Sequence, residues 1–406
     1  MKKKNLAALF LTGAMCLGLL AGCAGNGGEA GKPSDAGTEQ SQSGNNGGDG
    51  AQGGGVTVKI GGIGPLTGPN AQYGIATDEG AKIAIEEINA LGGIQFELNG
   101  QDDEADGEKG VNAYNNLMDW GMQILYGCTT SGSCAAVAAE SYNDRVFQLT
   151  PSASSTTVTD GHDNVFQLCF TDPNQGKTAA NFIAEHKLAS KIAVIYNNSD
   201  DYSTGIYQGF KETAESLGLE IVSTTTFPED TTTDFSAQIT DAYSKGAEMI
   251  FLPIYYTPAS NILIQANQKG YEFSYFGCDG LDGILTLEGF DTKLAEGVYV
   301  LTPFDTSSDA AKSFIEKYKA ATGSEPNQFA ADGYDCMYAL YEACKKANVT
   351  EGMSSAEMCQ ALVSVFTDSG FSVDGLTGSG MQWGANGEVS KDPLIVQIVN
   401  GAYVNQ

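Results

Sequence analysis

Short apolar runs alternate with amphipathic segments along most of the chain beyond Val56. The runs have the length of buried strands, and the segments between them repeat apolar residues at helical spacing, as Ala81, Ile85 and Ile88 do. The strand-like runs are VTVKIGGIG, MQILYG, VFQLT, KIAVIYNN, LEIVSTTTF, AEMIFLPI, FSYFGC and GVYVLTPF. Further helices are predicted at 109–120, 133–143, 174–187, 204–217, 233–245, 258–269, 309–321 and 328–347. This alternation predicts an α/β fold built on doubly wound parallel sheets.

The N-terminal region departs from this pattern. A basic start is followed by an apolar stretch, Leu6 to Leu20, that is too short and too rich in small residues to span a membrane, so we predict a signal peptide over 1–22. The stretch ends in LAGC, which resembles the lipobox of bacterial lipoproteins and implies that Cys23 is lipidated. Residues 23–55 then form a flexible tether, because 24–55 lack large apolar side chains. We expect an extracytoplasmic protein anchored by lipid to the cell membrane; the alternative is a secretory signal in which the cysteine is incidental.

Size and charge narrow the organisation and the partners. Roughly 350 residues follow the tether, more than one hydrophobic core usually serves, so two lobes are expected. The chain has 50 acidic and 21 basic residues and a net charge of -29. Nucleic acid is excluded as a natural partner, because phosphate groups bind lysine and arginine. We expect a monomer.

The residues that carry most enzyme chemistry are scarce. His162 and His186 are the two histidines, and neither lies near a nucleophile signature or a metal-ligand spacing, which disfavours a hydrolase. The acidic segment 102–108 imitates the start of a calcium loop, but the last ligand position falls on Ala113. The segment GGIGPLTG has Thr67 where a dinucleotide-binding loop needs its third glycine. We therefore predict no catalytic residue, no metal and no cofactor.

Two hydroxyl-rich loops follow predicted strands, where doubly wound sheets bind ligands. They are GCTTSGSC at 127–134 and TPSASS at 150–155. Ser131 and Ser133 precede a predicted helix whose positive end can seat a carboxylate, although they can also serve only as helix caps. Arg145 is the single arginine and is predicted at the surface, so hydroxyls and backbone NH groups must hold any anionic ligand group.

Several segments, taken in order, resemble the periplasmic binding proteins for branched-chain amino acids. They are KIGGIGPLTGPNAQYG, GAKIAIEEINALGGI, TPSASS, GCDG and VDGLTGSGMQWGANGEV, and the likeness runs from about Val58 to Tyr403. The resemblance implies the type I periplasmic binding protein fold, in which two Rossmann-like lobes are joined by a three-strand hinge. We place the N-terminal lobe at 56–173 plus 302–377 and the C-terminal lobe at 174–301 plus 378–406.

The resemblance also implies roles for polar residues. Ser131 would bind the ligand carboxylate through its hydroxyl and NH, and Ser154 through its NH. The carbonyl of Ser152 and the hydroxyl of Ser154 would accept from the ligand ammonium. Asp279 would pair with that ammonium, which agrees with the severe cost of enclosing a cation without an anion.

Aromatic residues would complete the site. By resemblance, Tyr202 closes over the backbone end of the ligand, and the side-chain pocket is lined by Tyr73, Tyr256 and Phe329. The alternative is that Tyr73 and Phe329 only pack at the lobe interface and that Tyr202 only starts a helix.

Two departures from the family bear on specificity. Asp279 is one methylene shorter than the family's usual glutamate, and Thr129 and Thr130 stand where aliphatic-selective relatives place more apolar side chains. A smaller or more polar amino acid, or an amide-like solute, therefore stays open beside a branched-chain amino acid.

These observations predict the substrate-binding protein of an ABC transporter rather than an enzyme. It would bind a branched-chain or similar small amino acid between two closing lobes and deliver it to a permease. Two alternatives remain at this point: the ligand-binding module of a sensory system, and a secreted amide hydrolase that uses Asp279 and a serine.

Overall fold

The first sheet lies in the N-terminal part of the computed structural model, which describes residues 55–228 and 233–406. Its five strands pair in parallel in the order β2-β1-β3-β4-β5. They are β1 (Val56–Gly64), β2 (Ile94–Asp102), β3 (Ile124–Gly127), β4 (Phe147–Thr150) and β5 (Val165–Gln167).

The second sheet has seven strands in the order β12-β11-β10-β9-β8-β6-β7. They are β6 (Lys191–Asn197), β7 (Glu220–Phe227), β8 (Met249–Leu252), β9 (Ser274–Gly277), β10 (Tyr299–Thr302), β11 (Leu394–Val399) and β12 (Ala402–Asn405). The strands from β6 to β10 pair in parallel, whereas β11 and β12 add on antiparallel. The predicted α/β fold with parallel sheets is confirmed, with this antiparallel edge as an addition.

Ten α-helices connect and cover the strands within the described residues. They are α1 (Ala71–Leu91), α2 (Gly107–Trp120), α3 (Ser131–Asp144), α4 (Asp172–His186), α5 (Asp201–Leu217), α6 (Ser236–Ser244), α7 (Tyr256–Lys269), α8 (Asp309–Thr322), α9 (Gln328–Ala347) and α10 (Ser355–Phe366). The predicted helices are confirmed to within a few residues at their ends. The sequence pattern missed α10 and the strands β2, β5, β11 and β12.

The chain passes between the two sheets three times. It leaves the first sheet after β5, returns after β10 to form α9 and α10, and comes back to add β11 and β12. The three passages agree with a three-strand hinge. The lobe boundaries that we placed near 173, 301 and 377 stay a prediction.

Apolar strands explain why the sheets are buried on both faces. In β6, the side chains of Ile192, Ala193, Val194 and Ile195 are all fully buried, so both faces of this strand are covered. Strands covered on both sides need such continuous apolar runs. Burial of these runs is the main favourable contribution to folding of the sheets.

Glycines bring α1 and α9 into close contact. A Cβ atom at Gly80 would clash with the backbone of Ala330, and one at Gly333 would clash with the Thr77 carbonyl. The two helix backbones therefore approach more closely than side chains would permit. This approach places Tyr73 of α1 against Phe329 of α9, with ring centroids 4.5 Å apart.

No helix among the described residues is long and apolar enough to cross a membrane. The predicted signal peptide, Cys23 and the tether up to residue 54 lie outside the described residues. Their roles stay predictions.

Candidate functional site

A small cavity lies where loops of the two sheets meet. It is lined by Tyr73, Thr129, Thr130, Ser131, Ser152, Tyr202, Tyr255, Asp279, Gly280 and Phe329.

Parallel strands explain why these residues converge. Tyr73 follows β1, and the serine loops follow β3 and β4 of the first sheet. From the second sheet, Tyr202 follows β6, Tyr255 follows β8 and Asp279 follows β9. Each therefore lies beyond the carboxyl end of a parallel strand, which is where doubly wound sheets bind ligands.

Six of the eight predicted binding residues line this cavity: Tyr73, Ser131, Ser152, Tyr202, Asp279 and Phe329. The other two are buried outside its lining in the described structure. Ser154, in the loop 150–155, is fully buried, and its carbonyl accepts from the Asp172 NH at 3.0 Å. The ring of Tyr256 packs against Tyr73 at 4.9 Å. The binding roles of all eight stay predictions.

Hydrogen bonds join the two hydroxyl-rich loops. The Ser155 NH donates to Ser131 Oγ at 3.2 Å, and Ser152 Oγ donates to the Thr129 carbonyl at 2.7 Å. The Ser131 hydroxyl thus acts as an acceptor in the protein and keeps its own proton for a ligand. Ser152 has used its hydroxyl proton, so its hydroxyl and its carbonyl can only accept hydrogen bonds from a ligand.

The start of α3 is not capped by the residues expected to cap it. Thr130 holds the N-cap position, but its side chain makes no capping hydrogen bond within the described chain. Ser133 instead donates to the buried carboxylate of Asp103 at 2.7 Å. Neither hydroxyl caps the helix, so the NH groups of its first turn form a seat for an anion.

Asp279 supplies the carboxylate of the cavity. Its Oδ1 accepts from the Tyr202 hydroxyl and the Gly280 NH, each at 2.8 Å. Its NH donates to Gln175 Oε1 at 3.1 Å. Burial raises the pKa of this carboxyl to about 6, and hydrogen bonds from Tyr202 and neighbouring groups oppose the rise. The carboxylate is thus charged but poorly solvated at neutral pH, a state that a cation would stabilise.

A second carboxyl lies behind the serine loop. Asp172 is fully buried, and burial raises its pKa well above the ordinary value, with further raising by Asp279 and by Asp200 and Asp201. Neither of its oxygens, nor the Ser154 hydroxyl, has a hydrogen-bond partner of good geometry among the described residues. Burial therefore disfavours the charged form of Asp172.

Aromatic rings form one wall of the cavity. The Tyr73 ring lies 5.4 Å from Tyr255, which in turn stacks on Tyr202 at 4.9 Å. Tyr73 donates its hydroxyl to the Gly280 carbonyl, a bond that ties the first sheet's helix to the second sheet's loop. The polar atoms of Tyr73 and Tyr202 are thus occupied within the protein, and ring carbons remain for an apolar part of a ligand.

Sequence reasoning missed Tyr255. It stands directly before Tyr256 at the end of the run AEMIFLPI, and α7 starts at Tyr256. The two consecutive tyrosines after a buried strand indicated that an aromatic ring would lie near the cavity. They did not indicate which of the two rings would face it.

The other residues considered for chemistry lie elsewhere in the described structure. Arg145 pairs with Asp163 at the surface, so the anion of a ligand has no guanidinium to bind in the described cavity. His186 stacks on Phe182 at 4.0 Å, and His162 Nδ1 lies 3.2 Å from the Val158 carbonyl. No group of three or more metal-ligating side chains was found in the described residues.

A larger, open cavity of about 1130 Å³ adjoins the small one and shares Thr130 and Tyr255 with it. Three aspartates, Asp106, Asp200 and Asp201, lie in its wall. Carboxylates at this approach repel anions and favour a ligand whose net charge is zero or positive.

The chain is similar to known amino-acid-binding proteins. A crystal structure of the branched-chain amino acid transporter substrate-binding protein LivJ from Streptococcus pneumoniae, in complex with isoleucine, is 30% identical with a TM-score of 0.76 and covers 86% of this chain and 97% of that one. A leucine-binding protein LivK from Thermotoga maritima is 27% identical with a TM-score of 0.76, with coverage of 86% and 97%. The leucine-, isoleucine-, valine-, threonine- and alanine-binding protein of Pseudomonas aeruginosa is 29% identical over 75% of this chain and 82% of its own length.

The sequence profile of the family described as "Periplasmic binding protein" matches residues 57–402. This family consists of solute-binding proteins that act outside the cytoplasm and are not enzymes, and the relatives named above include substrate-binding proteins of amino acid transporters. The predicted family is confirmed: the chain belongs to the periplasmic binding proteins.

Proposed function

We propose that this protein binds a free amino acid in the small cavity and delivers it to the permease of an ABC transporter. The proposal rests on one observation: Ser131, at the start of α3, and Asp279, beyond a strand of the second sheet, line the same cavity. One side offers a hydroxyl and helix NH groups to a carboxylate, and the other offers a charged carboxylate to an ammonium.

Contacts between the start of α1 and loops of the second sheet support closure of the two lobes around the ligand. The Thr257 hydroxyl donates to the Pro69 carbonyl at 3.1 Å, and the Thr286 hydroxyl lies 2.9 Å from Gln72 Oε1. A closed state of this kind gives a permease a shape to recognise.

The proposal includes attachment to the membrane through a lipid on Cys23. The tether of residues 23–55 would leave the folded part free to move between the bilayer and the permease. We also propose that the protein works as a monomer, and that 56–173 with 302–377 and 174–301 with 378–406 form its two lobes.

The test is calorimetry of the purified protein with the standard L-amino acids and with their N-acetyl derivatives, which lack the ammonium charge. We expect micromolar or tighter binding of at least one amino acid and none of its N-acetyl derivative. Asp279→Asn should weaken binding of the free amino acid by about thirtyfold or more, because removing one partner of a buried charge pair costs about 2 to 5 kcal/mol.

Asp160→Asn, at an exposed position away from the cavity, is the matched control and should bind as the unaltered protein does. Failure of every amino acid to bind would contradict the proposal. Equal losses for amino acids and uncharged analogues in Asp279→Asn would remove the ammonium role of this residue.

A further inference from the structure

Two threonines next to Ser131 are buried in the cavity wall. Thr129 is 3% exposed and Thr130 is 5% exposed, and both line the cavity. Thr130 Oγ1 has no hydrogen-bond partner among the described residues. A buried hydroxyl without a partner costs about 1 to 3 kcal/mol, so this atom calls for a partner that the protein itself does not supply.

Thr130 lies at a position where a threonine hydroxyl usually has a partner within its own helix. A threonine at an N-cap normally accepts a hydrogen bond from the second or third NH of its helix. Thr130 is the N-cap of α3 and makes no such bond within the described chain. Its hydroxyl is thus spared from capping and lies in the wall of a cavity where a ligand group can reach it.

The hydrogen-bond roles of the neighbouring hydroxyl follow from counting protons. The Thr77 hydroxyl donates its one proton to the Gly74 carbonyl at 2.9 Å. Thr129 Oγ1 lies 3.3 Å from Thr77 Oγ1 and must therefore be the donor of that pair. Its lone pairs remain as acceptors, whereas Thr130 keeps both a proton and lone pairs.

The Thr129 and Thr130 hydroxyls together can form hydrogen bonds with a hydroxyl on the ligand. A hydroxyl on the ligand can donate to Thr129 Oγ1 and accept from Thr130 Oγ1. The Thr129 hydroxyl packs directly against Gly64. A Cβ atom at position 64 would clash with Thr129 Oγ1, so the glycine makes room for the hydroxyl in this orientation.

The remainder of the wall limits the length of the ligand side chain. Tyr73, Tyr255 and Phe329 enclose it with rings, and the Tyr73 hydroxyl is already bonded to Gly280. A short side chain with one hydroxyl gives Thr130 Oγ1 a partner, whereas a long aliphatic side chain leaves this atom unpaired and meets the rings.

We infer that the ligand is a small amino acid with a hydroxyl in its side chain, of the serine and threonine type, and that Thr130 determines this specificity through its Oγ1. The inference rests on the proposed function and specifies the substrate class of the same cavity. Sites that hydrogen-bond a ligand hydroxyl discriminate strongly against the analogue that lacks it, because buried polar groups are then left unpaired.

Threonine and valine are the matched pair of ligands, since they differ by a hydroxyl in place of a methyl group. Calorimetry with the whole exported protein should show threonine or serine bound at least about tenfold more tightly than valine, isoleucine or leucine. In Thr130→Val, the preference for threonine over valine should shrink to about threefold or less. Thr130→Ser keeps the hydroxyl and should keep the preference.

Thr350→Val, at an exposed position remote from the cavity, is the control and should leave the preference unchanged. Circular dichroism and a thermal melt of each variant verify that it is folded. Valine or leucine bound by the unaltered protein as tightly as threonine would overturn the inference while leaving amino acid binding intact. Failure of all amino acids would instead contradict the proposed function.

Discussion

The Ser131 hydroxyl holds two loops together and still has a proton to donate, which is the basis of its proposed role in binding. Its Oγ accepts from the Ser155 NH, which fixes the second loop beside the first, and its proton remains for a carboxylate. The residue is 1% exposed, so a ligand bound there is shielded from water. Hydrogen bonds to charged groups gain strength from such shielding.

Ser131→Ala should weaken amino acid binding by about ten- to a hundredfold, the equivalent of about 1.5 to 3 kcal/mol for a hydrogen bond to a charged group. Calorimetry at constant pH measures the change. Ser244→Ala, at an exposed helix position, is the matched control. An affinity equal to that of the unaltered protein would remove Ser131 from the site.

The raised pKa of Asp279 predicts a pH dependence of binding. A ligand ammonium favours the charged carboxylate, so binding below about pH 6 must displace a proton. Affinity should be level above about pH 7 and fall by up to about tenfold per pH unit below about 6. Calorimetry in buffers of different ionisation enthalpy would also detect the released proton.

The stability of the ligand-free protein should depend on pH in the opposite direction to ligand affinity. Because folding raises the pKa of Asp279 above the ordinary value of 3.8, its charged form destabilises the fold above about pH 6, and this cost disappears as the pH falls. Asp332 also has a pKa raised by burial to about 6 and raises that of Asp279. Asp279→Asn distinguishes the contribution of Asp279 from that of Asp332. Binding should lose its dependence on pH in this variant, and an unchanged dependence would assign the titration to another group.

At the scale of elements, sequence patterns predicted the central strands and most helices because these have long apolar runs. The missed elements lack such runs. β2 is an edge strand with mixed burial, and β5 has three residues. β11 and β12 are joined by Asn400 and Gly401, both with positive φ, which is a hairpin-turn signal that the sequence did carry.

The start of α10 also had a readable signal. Ser354 and Glu357 form a capping box, in which Ser354 Oγ accepts from the Glu357 NH at 3.3 Å and Glu357 Oε2 accepts from the Ser354 NH at 2.9 Å. The pattern S-x-x-E before an apolar run marks a helix start. Its buried face, with Met358, Leu362 and Phe366, packs into the core of the first sheet.

Ser354→Ala should lower the free energy of unfolding by about 1 kcal/mol, the typical cost of a lost N-cap. Urea denaturation measures the change, and ligand affinity should stay constant because α10 does not contribute to the described cavity lining. Ser355→Ala, one residue further along the same helix, should be neutral or slightly stabilising. Equal effects of the two substitutions would contradict the capping role.

At the scale of the whole molecule, the meeting of the two sheets could not be predicted from the sequence by periodicity. The wall formed by Tyr73, Phe329 and Tyr255 brings together residues more than 70 positions apart, from both sheets. Periodicity reports which face of an element is buried and not which distant element covers it. The resemblance to a family led to six of the eight predicted binding residues lying in one cavity, and it supplied neither Tyr255 nor the pairing of Thr129 with Thr77.

A buried ion pair connects two of the passages between the sheets. Lys391, just before β11, donates to Asp332 Oδ1 at 2.9 Å, to Thr377 Oγ1 at 2.6 Å and to the carbonyl of Leu168, which follows β5, at 3.1 Å. The side chains of Lys391 and Asp332 are 1% and 3% exposed. The ammonium thus links the first and third passages to α9.

Lys391→Met should lower the free energy of unfolding by about 3 to 5 kcal/mol at neutral pH, because it leaves the Asp332 carboxylate buried without a cation. Part of the loss should be recovered as the pH falls and Asp332 is protonated. Urea denaturation at pH 7.5 and pH 5 compares the two conditions. Lys345→Met, which removes an exposed i,i+3 pair with Glu342, should cost less than about 1 kcal/mol; a similar cost for both would contradict the importance of burial.

Ser131 follows a strand of the first sheet and Asp279 follows a strand of the second, so a ligand bound as we propose would connect the two halves of the molecule. A molecule with only a carboxylate, or only an ammonium group, would pair with one half and would not stabilise the closed state. We expect such a molecule to occupy the cleft without closing it, and so to inhibit binding of the transported amino acid without being transported itself. Selection by the transporter would then begin with a requirement for two charges, before any feature of the side chain is read.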